Sequence, residues 1–331
     1  MAKVVLGLSG GVDSAVSARL LQRAGHEVLG LYMDTGGEDA RADAIRTAEF
    51  LGISLKVLDT HQALEENVCA PFVAAYLRGE TPNPCIMCNP SVKFRSLIDY
   101  ADAQGAEFVA TGHYARAEGG AIYRGMPAND QSYMLCRVRR DQAARMLLPL
   151  GSYEKAQVRA LADEFGIPVA HKPDSMEICF IPDKDYIGWI CRRTQVPGDG
   201  DVIFHGEVIG RHAGIYRYTV GQRWPGLHNE RKLYVAEIQA QENRVVLALW
   251  EELFKTEVRV REMNWLIDRP ETSIRANVRV RHTKWENPPC TAQVVGDGAI
   301  IHCDEPVRAP ARGQSAVLYD CDRLIGGGYI I

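Results

Sequence analysis

The run Val4-Val5-Leu6-Gly7-Leu8 contains no polar residue, and two adjacent glycines, Gly10 and Gly11, follow almost at once. A helical stretch then runs from about Val12 to Ala24 and stops at Gly25. A strand that is apolar at both parities is buried on both faces, which requires a parallel sheet covered by helices. The rhythm continues. His26–Met33 and Ser54–Leu58 read as further strands, with helices at Ala40–Leu51, Gln62–Tyr76 and Val92–Ala103, and another strand at Glu107–Thr111. Strand and helix in alternation predict an α/β, doubly wound parallel sheet. Ligands of such a sheet sit at the carboxyl ends of its strands.

Around Gly198 the texture changes. Short alternating segments separated by Gly, Asn and Pro begin at Val202: Gly206–Gly210, Tyr234–Ile238 and Arg244–Leu249. From about Trp265 they continue as Ile274–His282, Cys290–Val295, Ala299–Cys303, Ser315–Tyr319 and Leu324–Ile331. These predict antiparallel strands and a small C-terminal barrel. We expect three domains, at 1–196, 197–262 and 263–331, and 331 residues are enough for that many cores. No apolar run is long enough to span a bilayer, and Met1-Ala2-Lys3 leads into too short an apolar stretch for a signal peptide. The expectation is a cytoplasmic protein without a membrane partner. Nine cysteines, an odd number, argue for reduced thiols rather than a disulfide framework.

Ser9-Gly10-Gly11-Val12-Asp13-Ser14 joins the first strand to the first helix. Glycines there let the backbone approach an anion, and the loop N–H groups and helix N-terminus face it. Ser9 and Ser14 add hydroxyl donors, and Asp13 suits Mg2+. The loop has neither the Walker nor the dinucleotide spacing. The plainer alternative is a strand–helix turn with a capping serine. SGGxDS, however, resembles the pyrophosphate loop of N-type ATP pyrophosphatases, which implies ATP contacts from Leu8 through Ser14. Thr111-Gly112-His113-Tyr114 ends a later strand. Gly112 allows close backbone approach, and His113 is either a donor near phosphate or a satisfied structural residue. Met33, at the end of the second strand, is placed to meet adenine.

Thr81-Pro82-Asn83-Pro84-Cys85-Ile86-Met87-Cys88-Asn89 presents a Cys-x-x-Cys on a proline-stiffened approach to a helix. A helix N-terminus there would favour thiolate. Cys179 follows Asp174-Ser175-Met176-Glu177-Ile178. Inert packing and half of a zinc knuckle are the alternatives, with Cys191 as a fourth ligand.

With these pieces go Lys93-Phe94, Ala110–Arg116, Asp130–Tyr133, Ile178–Ile181, Gly221–Arg223, Pro306 and Gly313–Ala316. Over nearly the whole chain and in this order, the set resembles the bacterial tRNA-uridine 2-sulfurtransferase (2-thiouridylase, MnmA) family. The resemblance implies adenylation of the wobble uridine at O2, then sulfur delivery to C2, in tRNAs for Lys, Glu and Gln. It implies Cys88 and Cys179 as active-site cysteines, with Cys179 carrying a persulfide and Cys88 resolving it. It also implies Gln131 near the target base, and two later domains that help hold tRNA. The chain departs from the pattern at two places. The stretch after Met33 is short, and position 85 is Cys where the family usually has Asp. Cys85, Cys88 and Cys179 are then three thiolates, the set a [4Fe–4S] cluster needs if one iron stays open. We expect this cluster in preference to the persulfide, with a donor protein or sulfide supplying sulfur.

Net charge is −4, yet Lys255–Lys284 holds eight Lys/Arg against four Asp/Glu, an excess of +4. Basic residues also gather at Arg137–Arg140, Arg192-Arg193 and Arg231-Lys232. For a tRNA anticodon arm, with no DNA, the expected contacts are Gln131, Tyr133, Arg139, Lys155, Gln157, Arg223 and Arg281, with Arg159 also near the arm. Tyr114, Tyr133 or Phe180 would stack on an extruded base. Such binding would weaken steeply with salt. Two other readings compete with this one. An amide-forming synthetase would not need paired thiols. A non-catalytic cluster- or zinc-bearing RNA-binding protein leaves the phosphate loop unexplained.

Overall fold

The computed structural model describes residues 1–36, 38–174, 178–181, 183–225, 231–282 and 287–331. Among these, no helix is long and apolar enough to cross a membrane. Strands β1 (Lys3–Gly7), β2 (Glu27–Asp34), β3 (Leu55–Asp59), β4 (Phe108–Ala110), the hairpin β5 (Ala115–Glu118) and β6 (Ala121–Arg124), and β7 (Met146–Leu147) serve the first part of the chain. Five of them form a parallel sheet in the order β3-β2-β1-β4-β7. Val4, Val5 and Leu6 are fully buried in it, as the unbroken apolar run demands. Helices α1 (Val12–Arg23) and α2 (Glu38–Leu51) pack near the loop that follows β1. Asp13 in the first turn and Arg23 in the last complement the α1 dipole, and Gly25 at φ +84° lets the chain turn away.

The expected helix 62–76 is interrupted. It begins as α3 (His61–Leu64), widens into a π turn at Glu65–Cys69, and resumes as α4 (Ala70–Leu77). A second π turn, Asn89–Lys93, joins α5 (Pro84–Cys88) to α6 (Phe94–Ala103). Such bulges gather at functional sites. These two flank the Cys-x-x-Cys. Helices α7 (Arg140–Ala143), α8 (Lys155–Glu164) and α9 (Tyr186–Arg193) complete the helical set used here.

A four-stranded sheet follows, built from β8 (Gly200–Phe204), β9 (Glu207–His212), β10 (Tyr234–Gln239) and β11 (Arg244–Ala248), in the order β10-β11-β8-β9. It corrects one expectation. Its two hairpins are antiparallel, but β11 runs parallel to β8, with Val245 opposite Val202. Alternation in sequence shows which face a residue takes, not which way a distant neighbour runs.

The last strands are β12 (Phe254–Trp265), β13 (Ser273–Arg279), β14 (Pro289–Val295), β15 (Gly298–Arg308), β16 (Ser315–Asp320) and β17 (Arg323–Ile330). They close into a barrel, because β12 pairs with both β15 and β17. β12 crosses the expected 262/263 boundary, since one long strand serves two partners. The hairpin β5–β6 leaves the first domain to pair with β17, at Tyr123 opposite Arg323. One core therefore runs through both, with Tyr133 and Leu135 packed with Val317, Tyr319 and Leu324.

Candidate active site

The Ser9–Ser14 loop leaves the carboxyl end of β1 and is held by hydrogen bonds of its own. Ser14 Oγ donates to the Gly11 carbonyl at 3.0 Å and accepts from Ser9 N–H at 3.2 Å. Gly10 has φ +73°, and a Cβ there would stand 2.3 Å from the Ala40 carbonyl oxygen. Gly112, just past β4, presses on the loop from the other side, where a Cβ would come within 3.0 Å of Asp13. The close approach expected of Gly112 is thus made to the loop backbone. Val12 is buried and Met33 half-buried, with the Met33 methyl facing Gly7 at the end of β1. Leu8 is fully buried and its N–H bonds the Leu31 carbonyl, tying the loop's first residue to β2.

His113 shares a 2.7 Å hydrogen bond with Thr111 and its ring stacks near Phe94. Desolvation, with the nearby Lys93 charge adding, holds its pKa well below the ordinary histidine value. It is neutral at pH 7, so its ring acts as a hydrogen-bonding dipole and not as a cation.

Two lysines embrace the loop. Lys172 donates to the Gly10 carbonyl at 3.2 Å and pairs with Asp43 of α2 at 2.5 Å. The Lys172 hydrogen bond holds the buried Asp43 carboxyl below its ordinary pKa, with burial opposing and the Lys172 and Arg46 charges adding. A depressed carboxylate contributes stability above its unfolded pKa, about 4, and loses it as pH falls through the folded value. Asp43→Asn should therefore lower the melting temperature at pH 7, and the gap to the parent should shrink on titration below about pH 4. A gap that stays constant into acid would contradict this pairing. Lys155 meets Asp13 from α8 at 2.7 and 2.8 Å, so it faces the loop and not an open surface.

The Cys-x-x-Cys is itself the helix α5, not a loop before one. Asn83 caps it, accepting from Cys85 N–H at 3.1 Å and Ile86 N–H at 3.4 Å, and Pro84 sits in its first turn. Cys88 is thus at the carboxyl end of a short helix. Its thiol pKa is raised by burial, against the pull of Lys93, which reverses the expectation of a favoured thiolate. Cys179 as a residue is exposed, but desolvation of its thiol, then repulsion from Cys88 and Cys85, pushes it up to about 11. Cys179 therefore feels both Cys88 and Cys85, and Cys88 feels Cys85. All nine cysteines are free thiols. No group of three His, Cys, Asp or Glu stands at metal-ligand spacing among the described residues. Ser175, Met176 and Glu177, which precede Cys179, lie outside those residues, as does Lys284.

Cys191 does not join the thiols. It meets the Tyr216 hydroxyl at 3.5 Å instead. A residue the sequence reading missed does join them. Cys69, in the first π turn, is buried in a cluster with Val68 and Val92 against Cys88 and Phe180. Burial, then Glu65, pushes its thiol up to about 12, and Cys179 and Cys88 add to the shift. Only its place in the turn, 16 residues before Cys85, brings it there, and no spacing rule marks that. A cleft of about 380 Å³ opens beside it, lined by Thr35, His61, Phe180, Trp189 and Arg193.

Several expected tRNA contacts are structural. Tyr133 is fully buried, donating to the Ser315 carbonyl at 2.7 Å, and cannot stack on a base. Tyr114 is buried and donates to Asp13. Phe180 already packs edge-on against Phe72 and at an angle on Trp189. Arg281 ties the central sheet to the barrel through the Val220 and Ala309 carbonyls at 2.5 and 2.7 Å. Gln157 accepts from Glu154 N–H and closes the α8 cap, and Gln131 accepts from Tyr114 N–H at 3.1 Å. Arg159 binds the Ala170 and Lys172 carbonyls and Asp174. Arg139 and Arg223 are exposed, although Arg139 already pairs with Asp141. Much of the expected basic surface is paired likewise: Arg275 with Asp304, Arg140 with Asp268, Arg192 with Asp183 and Arg137 with Glu262.

Three family models cover the chain. They are described as a tRNA methyl transferase HUP domain over residues 2–183, a PRC-barrel domain over 189–248 and an aminomethyltransferase β-barrel domain over 255–330. Curated proteins named tRNA-specific 2-thiouridylase MnmA align end to end. One from Syntrophotalea carbinolica is 39% identical over 99% of this chain and 98% of its own length. Those of Geobacter metallireducens, 38% identical over 99% and 96%, and Clostridioides difficile, 37% identical over 99% and 98%, are similar. By these matches over nearly its whole length, the chain belongs to the tRNA-specific 2-thiouridylase family.

Proposed function

We propose that this protein is a tRNA sulfurtransferase that uses ATP with Mg2+ to adenylate O2 of the wobble uridine, then replaces that oxygen with sulfur, in tRNAs for Lys, Glu and Gln. One observation carries the reading. His113, next to the Gly112 that presses on the phosphate loop, stacks on Phe94, and the π turn Asn89–Lys93 joins Phe94 to the cysteine helix α5. The loop that would activate by adenylation and the helix that would deliver sulfur are thus tied together through one pair of packed rings. In this mechanism the loop N–H groups and Ser9 and Ser14 bind pyrophosphate, and Asp13 holds Mg2+. Leu8 through Ser14, Met33 and Gly112 form the nucleotide pocket, and neutral His113 donates to phosphate without competing for the metal. The anticodon arm lies near Gln131, Arg139 and Arg223. The sulfur enters from a donor protein or sulfide.

For the sulfur carrier, the donor chemistry fits a [4Fe–4S] cluster on Cys85, Cys88 and Cys179. Burial raises the pKa of the Cys88 and Cys179 thiols, the neighbouring Cys85 adds to both, and a bound cation relieves thiols so placed. When bound, such a cluster supplies an iron with an open position for a sulfur ligand. Cys85→Ala tests it. In the cluster account the variant, purified without oxygen, loses iron, the absorbance near 400 nm and at least about tenfold of its thiolation, since ligands of a metal site are strongly coupled. Full activity in an iron-free Cys85→Ala protein would leave the Cys179 persulfide, resolved by Cys88, as the route.

A further inference from the structure

Lys155 opens α8 and lies in a notch with 23% of its side chain exposed. Its ammonium group is 2.7 and 2.8 Å from the two Asp13 carboxylate oxygens and 2.8 Å from Asp174 Oδ1. The Tyr114 hydroxyl donates to Asp13 Oδ1 at 2.7 Å, and its ring lies 5.6 Å from the same ammonium. Arg159, one turn along α8, meets Asp174 Oδ1 at 2.8 Å. Two cations and two carboxylates are therefore balanced, but not symmetrically. Asp174 keeps Arg159 whatever Lys155 does, whereas Asp13 has Lys155 as its cation.

The loop reading requires Asp13 to hold Mg2+. A divalent ion on that carboxylate removes the reason for Lys155 to stay there. Asp174 is already neutralised by Arg159. The freed ammonium then stands beside a loop that has just taken up a triphosphate. We propose that Lys155 is a nucleotide-phosphate residue held in reserve: it rests on Asp13 in the free enzyme and exchanges onto the β- and γ-phosphates when Mg2+ occupies Asp13. The exchange gives Asp13 a divalent cation in place of Lys155, leaves Asp174 with Arg159, and moves no proton. The ammonium is enclosed between Asp13 and Asp174 and faces the phosphate loop, so this assignment replaces the expected tRNA contact. It rests on the ATP reading given above.

The test uses full-length protein, calorimetric binding of Mg–ATP at several Mg2+ concentrations, and filter binding of unmodified tRNA without nucleotide. Lys155→Met should weaken ATP at saturating Mg2+ by about tenfold or more, the usual loss of a charge-assisted contact. It should also lower the Mg2+ concentration for half-saturation, because Asp13 is no longer occupied. tRNA affinity should stay within about twofold, as for a distant site. Lys155→Arg keeps the charge but grips Asp13 with a two-pronged guanidinium, so its Mg2+ requirement should rise. That opposite sign is what a structural role would not produce, and it decides the matter if Lys155→Met folds poorly. A fall in tRNA affinity with ATP and Mg2+ binding unchanged would overturn the proposal in favour of a tRNA contact, and no change in any of the three would overturn it outright. Failure of the unsubstituted protein to bind Mg–ATP would instead remove the functional reading beneath it.

Discussion

Cys179→Ala and Cys88→Ala should each abolish thiouridine formation, by at least about a thousandfold, while Mg–ATP binding stays within about twofold of the parent. Both proposed sulfur routes pass through these two thiols, so neither route rescues the other variant. Cys88 sits in one cluster with Cys69 and Phe180, Cys179 directly precedes Phe180 in the chain, and neither thiol takes part in the hydrogen bonds that shape Ser9–Ser14. The expected signature is therefore a protein that still takes up nucleotide and tRNA but transfers no sulfur. Mass spectrometry of the nucleosides, with calorimetry of ATP on the same samples, checks it. A Cys179→Ala enzyme with normal thiolation would remove the sulfur site from the account. Loss of ATP binding would mean the two halves are not separable as described.

Gly10→Ala should be nearly as severe in the opposite half. The residue lies at φ +73°, and its missing Cβ would overlap the Ala40 carbonyl oxygen at 2.3 Å. The left-handed backbone alone costs about 1–2 kcal/mol for any other L-residue. The overlap is with backbone of α2, which cannot swing aside as a side chain would. Either the loop shifts or α2 does, and α2 carries Asp43, the partner of Lys172. ATP affinity should fall at least about a hundredfold, with both penalties acting on the same loop. Thermal melting separates a local from a global effect. A folded variant with parental ATP affinity would contradict the role of this loop.

Local chemistry was legible in the sequence. A short apolar run followed by two glycines and a helical stretch reads as an interior strand, so β1, the loop and α1 follow from spacing alone, whereas the prolines point to a loop before a helix and it is the Asn83 cap that draws the cysteines into α5 itself. What was not legible depends on long-range approach. Nothing local marks Cys69 as a neighbour of Cys88, because the π turn at Glu65–Cys69 sets its direction. Tyr133 reads as a stacking aromatic until β16 arrives to accept its hydroxyl. Arg281 and much of the basic surface read as phosphate contacts until their carbonyl and carboxylate partners fold against them. A count of positive charge in sequence overstates free positive charge, because ion pairs between distant segments consume it. The parallel β8–β11 pairing is invisible for a similar reason: alternation carries no direction.

The most direct test of the central claim is a stoichiometry. Protein purified without oxygen is incubated with ATP, Mg2+, sulfide and unmodified tRNA, and AMP, pyrophosphate and 2-thiouridine are counted together. Activation by adenylation followed by sulfur attack predicts one AMP and one pyrophosphate for each 2-thiouridine at the wobble position, and no AMP when tRNA is left out. Thiolation without AMP release, or AMP and pyrophosphate released with no sulfur entering the tRNA, would contradict the account.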